Sequence, residues 1–253
     1  MTVAANPGQA IQPGRLRVAS YNIHRCVGTD GKHAPDRIAA VLDEIQADVI
    51  GLQEVDSLSP SLTAADARHH MEYLAGALHM QAVAGPTICH DDRHYGNALL
   101  TRRPVQQVRH IDLTVDRREP RAALDVSLEI PGGSLRIVVT HLGLYPAERR
   151  LQVKRLLGTL TEDAGPLLVV CGDINEWFTV GRPLRWLHRL FGRTPSHRTF
   201  PSRWPLFALD RIWVRPAASV VGWAVHDSPA ARLASDHLPL RAEIDLPDQR
   251  APG

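Results

Sequence analysis

The chain has little of what marks several large protein classes. It holds three cysteines in 253 residues, and Cys26, Cys89 and Cys171 share no CxxC spacing. That excludes a disulfide framework and fits a reducing compartment. No apolar run approaches the ~20 residues that span a bilayer, so no transmembrane segment is expected. Excess charge of either sign is also missing: 29 Lys and Arg against 27 Asp and Glu give +2, too balanced for a histone-like polycation. The opening MTVAANPGQAIQPG has neither a basic n-region nor an apolar h-region, so no secretory signal is read there and a cytoplasmic location is expected. What is present is ordinary. A hydrophobic share of 44% and a charged share of 22% exclude disordered and fibrous classes.

Residues 1–14 are rich in Pro, Gly, Gln and Ala and read as a flexible tail, with a second tail at 247–253. Between them, 15–246 reads as one domain in which strand-like and helix-like segments alternate. Leu16 to Ile23 has apolar residues at alternate positions, and Asp48 to Gln53 and Leu167 to Cys171 are short continuous apolar strands of the kind buried on both faces. Pro35 and Pro146 suit the first turns of helices. Ile38, Val41, Leu42 and Ile45 line one of them, and Val153, Leu156, Leu157 and Leu160 the other. Residues 64–78 also look helical. Further strands are expected at 95–101, 105–113, 121–130, 134–142, 209–214, 219–226 and 238–245, with a hairpin turn at Pro131-Gly132-Gly133. The pattern predicts an α/β domain of two sheets packed face to face with helices outside.

Polar residues gather where these strands end. Asn22 and His24 follow the first strand, Glu54 ends DVIGLQE, and His141 ends RIVVTH. Asp173 and Asn175 follow LLVVCG, Asp210 opens LDRIWV, and Asp236-His237 precede the last strand. Taken singly, such residues cap loops and turn the chain. Taken together at strand ends, they mark a cleft. Glu54 and Asp236 offer a hard divalent cation two oxygen ligands. Asp173 and Asp210 remain for proton transfer or for orienting a histidine.

The blocks YNIH, LQEVD, YGNALLTR, REPRAAL, VVTHLGL, CGDINEW, LDRIWV and SDHLPL resemble, in order, the signatures of the endonuclease/exonuclease/phosphatase superfamily. That group includes DNase I-like nucleases, abasic-site endonucleases, inositol polyphosphate phosphatases and sphingomyelinases. The resemblance spans roughly Arg17 to Glu243. It implies a four-layer α/β sandwich and phosphoester hydrolysis dependent on Mg²⁺ or Mn²⁺. It further implies that Glu54 is the principal metal ligand, with Asn22 and Asp236 nearby. Asp173 would orient or deprotonate the attacking water, and Asn175 would hold that water or a phosphoryl oxygen. His237 would bond a phosphate oxygen with Asp210 as its orienting partner, and His141 would make a second phosphate contact or protonate the leaving group.

Weaker signals remain open. Asn97 in YGNALL is a cleft residue or an ordinary turn residue, and Arg121 either reaches a phosphate or pairs with Glu119. His24 stands where some nucleases of the group carry a carboxylate, which leaves a second metal position unsupported. Gly181 to Pro205 contains six arginines and no acidic residue, interleaved with Trp186, Phe191, Phe200 and Trp204. Its Arg185 and Arg189 are candidate phosphate contacts, or else part of a solvated helix face. As a functional insertion the segment would bind nucleic acid or lie on anionic lipid headgroups. The expected function is a metal-dependent phosphodiesterase or nuclease. A phospholipid or small-phosphoester hydrolase of the same fold is the alternative, and a scaffold that lost the reaction is the reading from another class.

Overall fold

The protein is described here from a computed structural model, covering residues 14–56, 70–90, 93–161, 165 and 167–247. The expected tails lie outside these residues apart from Gly14 and Pro247, as does the 64–69 part of the expected second helix. In chain order the elements are β1 (Arg15–Asn22), α1 (Pro35–Ile45), β2 (Val49–Asp56), α2 (His70–Leu78), β3 (Gln81–His90) and β4 (Arg93–Thr101). They continue with β5 (Val105–Asp112), β6 (Ala122–Ile130), β7 (Gly133–His141), α3 (Pro146–Leu160), β8 (Leu167–Asp173) and α4 (Arg182–Phe191). The chain ends with β9 (Asp210–Arg215), β10 (Val220–Val225), α5 (Pro229–Ala234) and β11 (Leu240–Asp245).

The strands form two mixed sheets, ordered β10-β11-β1-β2-β4-β3 and β5-β6-β7-β8-β9. Each contains one parallel pair, β1 with β2 and β7 with β8, flanked by antiparallel neighbours. A parallel pair needs a crossover, and α1 and α3 supply it with Pro at their first turns. Val18, Val49, Val139 and Val169 interlock between the sheets. Ile38, Val41, Leu42 and Ile45 of α1 cover the outer face of the first sheet, and Val153, Leu156, Leu184 and Trp213 fill the space outside the second. The result is the expected four-layer α/β sandwich.

Two elements escape the sequence pattern. β3 carries Gly85-Pro86, and its pairing with β4 slips between Pro86 and Ile88, as a proline on an edge strand requires. The six-residue α5 is too short to show a helical period. Cys26 and Cys171 are buried free thiols in separate apolar clusters, and burial pushes the Cys171 thiol up to about 12. Both are packing residues.

Gly172, one position before the end of β8, has φ +146°, and a Cβ there would drive into the backbone carbonyl of Thr140 on β7. Gly172→Ala should therefore cost about 2–4 kcal/mol of stability, combining strain at positive φ with overpacking. Urea unfolding reads this as a lower midpoint at constant slope.

Candidate active site

Strand register assembles the site. Asp173 at the end of β8 lies opposite Asp210 of β9 and beside His141 of β7. In the other sheet Asn22 ends β1 opposite Gln53 of β2. Glu54 follows at φ +55°, inside a shift in the β2–β4 pairing between Leu52 and Val55. Such a bulge re-aims a side chain that regular alternation would send elsewhere. Asn22 joins the two sheets: its Nδ2 donates to Glu54 Oε1 at 3.1 Å and to Asp173 Oδ2 at 3.2 Å. Its Oδ1 accepts from the His24 backbone N–H at 3.0 Å.

His237 lies between two carboxylates. Its Nδ1 is 2.8 Å from Asp210 Oδ2, and its Nε2 is 3.6 Å from Asp173 Oδ2. Asp210 is fully buried and also accepts from Thr199 Oγ1 at 2.5 Å. Burial works to lower the His237 pKa. The charges of Asp210 and Asp173, the Asp210 hydrogen bond and the charge of Asp236 outweigh it and push the imidazole up to about 10. His237 is thus an imidazolium at neutral pH. Burial, reinforced by Asp210, holds the Asp173 carboxyl above its ordinary range against the opposing pull of His237. His141 goes the other way, because burial and the positive charges of Arg121 and His237 keep it neutral.

Asn175, at φ +53°, turns the chain so that its backbone N–H donates to Asp173 Oδ1 at 2.9 Å. Its Nδ2 donates to the Leu142 carbonyl at 2.9 Å and faces His141 Nε2 at 3.1 Å. A carbonyl only accepts, so the amide orientation is fixed, and His141 Nε2 is then the acceptor with the ring proton on Nδ1. The 3.5 Å approach of His141 Nε2 to Asp173 is longer and is no ion pair while His141 is neutral. Asp236 sits at the cleft edge, linked to Asn22 through Ser235. That hydroxyl lies 2.8 Å from the Asn22 carbonyl and 3.4 Å from Asp236 Oδ1.

Asp173, Asp210 and His237 place ligand-type atoms within 4.8 Å of one another, yet the Asp210–His237 pair is already closed by a hydrogen bond. Those three form a proton-holding chain. The remaining carboxylates that could hold a cation are Glu54, bonded to the Asn22 amide, and Asp236, whose Oδ1 lies 3.4 Å from the Ser235 hydroxyl and 3.8 Å from His24 Nδ1, with the Asn22 oxygen on the His24 N–H beside them. Glu54 is half-buried, hydrogen-bonds to Asn22 and has no basic partner among the described residues. An ionised carboxylate so placed suits a hard divalent cation.

The weaker candidates divide. Arg121 is buried beside this cluster, and its Nη2 pairs with Glu119 Oε2 at 3.2 Å while its Nε has no partner among the described residues. Asn97 donates to the Ala122 carbonyl at 2.9 Å and so ties β4 to β6. Arg185 and Arg189 are exposed on α4, whose buried face is Pro183, Leu184, Leu187 and Phe191, and no described contact joins either arginine to the cleft. Sequence reasoning missed Thr199, Ser235, Arg149 and Glu176. The last two form a buried ion pair at 3.4 Å behind Asn175. Glu176, inside the CGDINEW block, and Ser235, which opens SDHLPL, had a positional signal.

Asp210→Asn should leave the shape of the pair but remove the charge that raises His237, so its pKa should fall toward the ordinary ~6.5. The stabilisation from the raised value is complete below that ordinary pKa and disappears as pH rises through the folded one. Histidine NMR titration would show a lowered midpoint, and an unchanged midpoint would contradict the pairing.

Residues 19–237 match the model of the Endonuclease/Exonuclease/phosphatase family. The chain is 31% identical over 246 residues to the protein YbhP of Escherichia coli (strain K12), covering 91% of this chain and 96% of that one. Its fold is similar to the crystal structure of an endonuclease/exonuclease/phosphatase family protein from Bacteroides thetaiotaomicron, with TM-score 0.75, 18% identity, and coverage of 94% and 100% of the two chains. A structure of D. rerio TDP2 complexed with single-strand DNA product aligns with TM-score 0.65 and 19% identity over 90% of this chain and 98% of that one. With the family model spanning residues 19–237 and a relative 31% identical over almost its whole length, this chain belongs to the endonuclease/exonuclease/phosphatase family.

Proposed function

We propose that this protein is a divalent-metal-dependent phosphoester hydrolase that acts on phosphodiesters. The observation that carries the reading is charge balance. Asp173 and Asp210 flank a single imidazolium, His237, with the charge of Asp236 also acting on it; Glu54 joins the cluster through Asn22, and Arg121 is offset by Glu119. A cleft so rich in carboxylates repels a phosphate until a cation offsets them. A singly charged diester is repelled less than a doubly charged monoester. A Mg²⁺ or Mn²⁺ ion held by Glu54, with Asn22 and Asp236, would supply Lewis acidity at the phosphoryl and leaving oxygens.

The chain's own residues divide the remaining work. Asp173, raised by burial, takes the proton of the attacking water as its oxygen bonds to phosphorus and the ester bond breaks. Asn175 leaves its side-chain oxygen free to hold that water. His237 donates its Nε2–H to a non-bridging oxygen, and Asp210 keeps the ring oriented and charged as negative charge builds on the phosphoryl group. His141 holds the Asn175 amide and makes the next contact available to phosphate.

Two substitutions test these roles with bis-p-nitrophenyl phosphate and a metal titration. Asp173→Asn should lower turnover by about 10²–10⁴-fold, the range ascribed to one acid–base group, with the fold intact. Glu54→Gln should raise the Mg²⁺ or Mn²⁺ concentration needed for half-maximal rate by about 10-fold or more. Turnover insensitive to EDTA, or near-normal activity of Asp173→Asn, refutes the assignment.

A further inference from the structure

Three loops that adjoin the strand ends carrying His141, Asp173 and Asp210 end in apolar side chains. Leu144 and Tyr145 follow β7, Phe178 and Val180 follow β8, and Trp204 and Leu206 precede β9. All six are between 53% and 78% exposed. The loops are held in place. A turn from Gly181 N–H to the Phe178 carbonyl closes the second loop at 2.9 Å. Phe200 and Phe207 pair across the base of the third, where Trp204 N–H also bonds the Pro201 carbonyl at 3.0 Å. Beneath the first two, buried Arg149 donates to the Leu144 carbonyl at 2.6 Å and pairs with Glu176. Glu176 in turn accepts from the Phe178 N–H at 3.3 Å.

The wall is continuous with the chemistry. The Phe200 ring lies 4.8 Å from that of His237, and Trp177 packs edge-on against Phe200 at 5.8 Å and Phe207 at 4.8 Å. Within 142–146, 177–181 and 200–208 the only charged residue is Arg203. One cation, exposed Arg203, stands in the crown and others border it: Arg182 and Arg198 are exposed, Arg118 stacks on Tyr145 at 3.9 Å, and 181–205 contains no acid. Apolar tips inside a basic collar match a bilayer with anionic headgroups, where aromatic rings settle at the interface and aliphatic side chains reach the acyl boundary. A nucleic acid would need cations along its backbone track, and the rings of Tyr145, Phe178 and Trp204 alternate with Leu144, Val180 and Leu206, on which no base stacks.

We infer that this crown is a membrane-docking surface, seated on anionic lipid so that the cleft receives a lipid phosphoester. The part concerning substrate rests on the hydrolase reading above, whereas docking itself does not. The experiment reads them separately. Full-length protein is sedimented with sucrose-loaded vesicles of phosphatidylcholine with and without about one third phosphatidylglycerol, and its hydrolysis of bis-p-nitrophenyl phosphate is measured in parallel. The protein should partition onto the anionic vesicles with a blue shift of tryptophan emission. Trp204→Ser/Leu206→Ser should weaken partition by about 10-fold or more, with an unchanged thermal midpoint showing that the fold survives. Phe178→Ser/Val180→Ser, on a separate loop, should do the same. Absence of vesicle binding by the parent protein, or equal binding by both variants, overturns docking whatever the turnover. Loss of single-stranded oligonucleotide binding in the variants without any vesicle binding would assign the face to nucleic acid and overturn it as well. Vesicle binding without turnover leaves docking standing and removes the hydrolase reading.

Discussion

A protonated histidine buried between two carboxylates constrains this end of the molecule. Taking any one of Asp173, Asp210 and His237 out of water alone would cost several kcal/mol, so each is tolerable only in the presence of the others. Asp210 is matched on the same oxygen by His237 and Thr199, and Asp173 by Asn175, Asn22 and the facing edge of the His237 ring. The β8–β9 register sets Asp173 directly against Asp210, leaving room for one imidazole between their carboxyls. Catalytic chemistry and local stability therefore depend on the same contacts.

The rest of the cleft follows from how the sheets are built. In a parallel pair both strands end at the same edge. Packing the β1–β2 pair against the β7–β8 pair with those edges together brings Asn22 and Glu54 up to His141 and Asp173. Asn22 makes the connection physical, since one amide nitrogen reaches a carboxylate from each sheet. Two adjacent carboxylates bridged only by a neutral amide make an electronegative spot, which is where a cation lowers the energy most.

The sequence made the strand ends legible because apolar runs stop abruptly at residues with no reason to be apolar. LLVVCGD and RIVVTH end at Asp173 and His141, and the structure sets those residues side by side. The four layers were legible for a related reason, since α1 carries a clean apolar face behind an initial proline and α3 repeats the pattern in its second half with Val153, Leu156 and Leu160. What stayed hidden was whatever depends on partners distant in the chain. Nothing near Thr199 announces a bond to Asp210, and the pairing of Arg149 with Glu176 crosses a strand and two loops. Glu54 was readable as a strand-end acid, but the bulge that turns it at positive φ was not. Arg185 and Arg189 lie where the apolar pattern of their segment predicts, since Leu184, Leu187 and Phe191 of α4 face inward and both arginines stand on the outside.

The exposed crown is a consequence of the polar lattice beneath it. A loop tipped with Phe178 and Val180 would ordinarily fold back and bury its apolar surface, a gain of about 25 cal/mol per Å². Here Glu176 grips the Phe178 amide and Arg149 grips the Leu144 carbonyl, so folding back would break a buried ion pair, a loss of about 3–5 kcal/mol. The tips stay outward because the groups holding them cannot leave the interior. Any apolar medium that covers those tips also excludes water from the cleft mouth, and the fields of His237 and its carboxylates strengthen as the local dielectric falls.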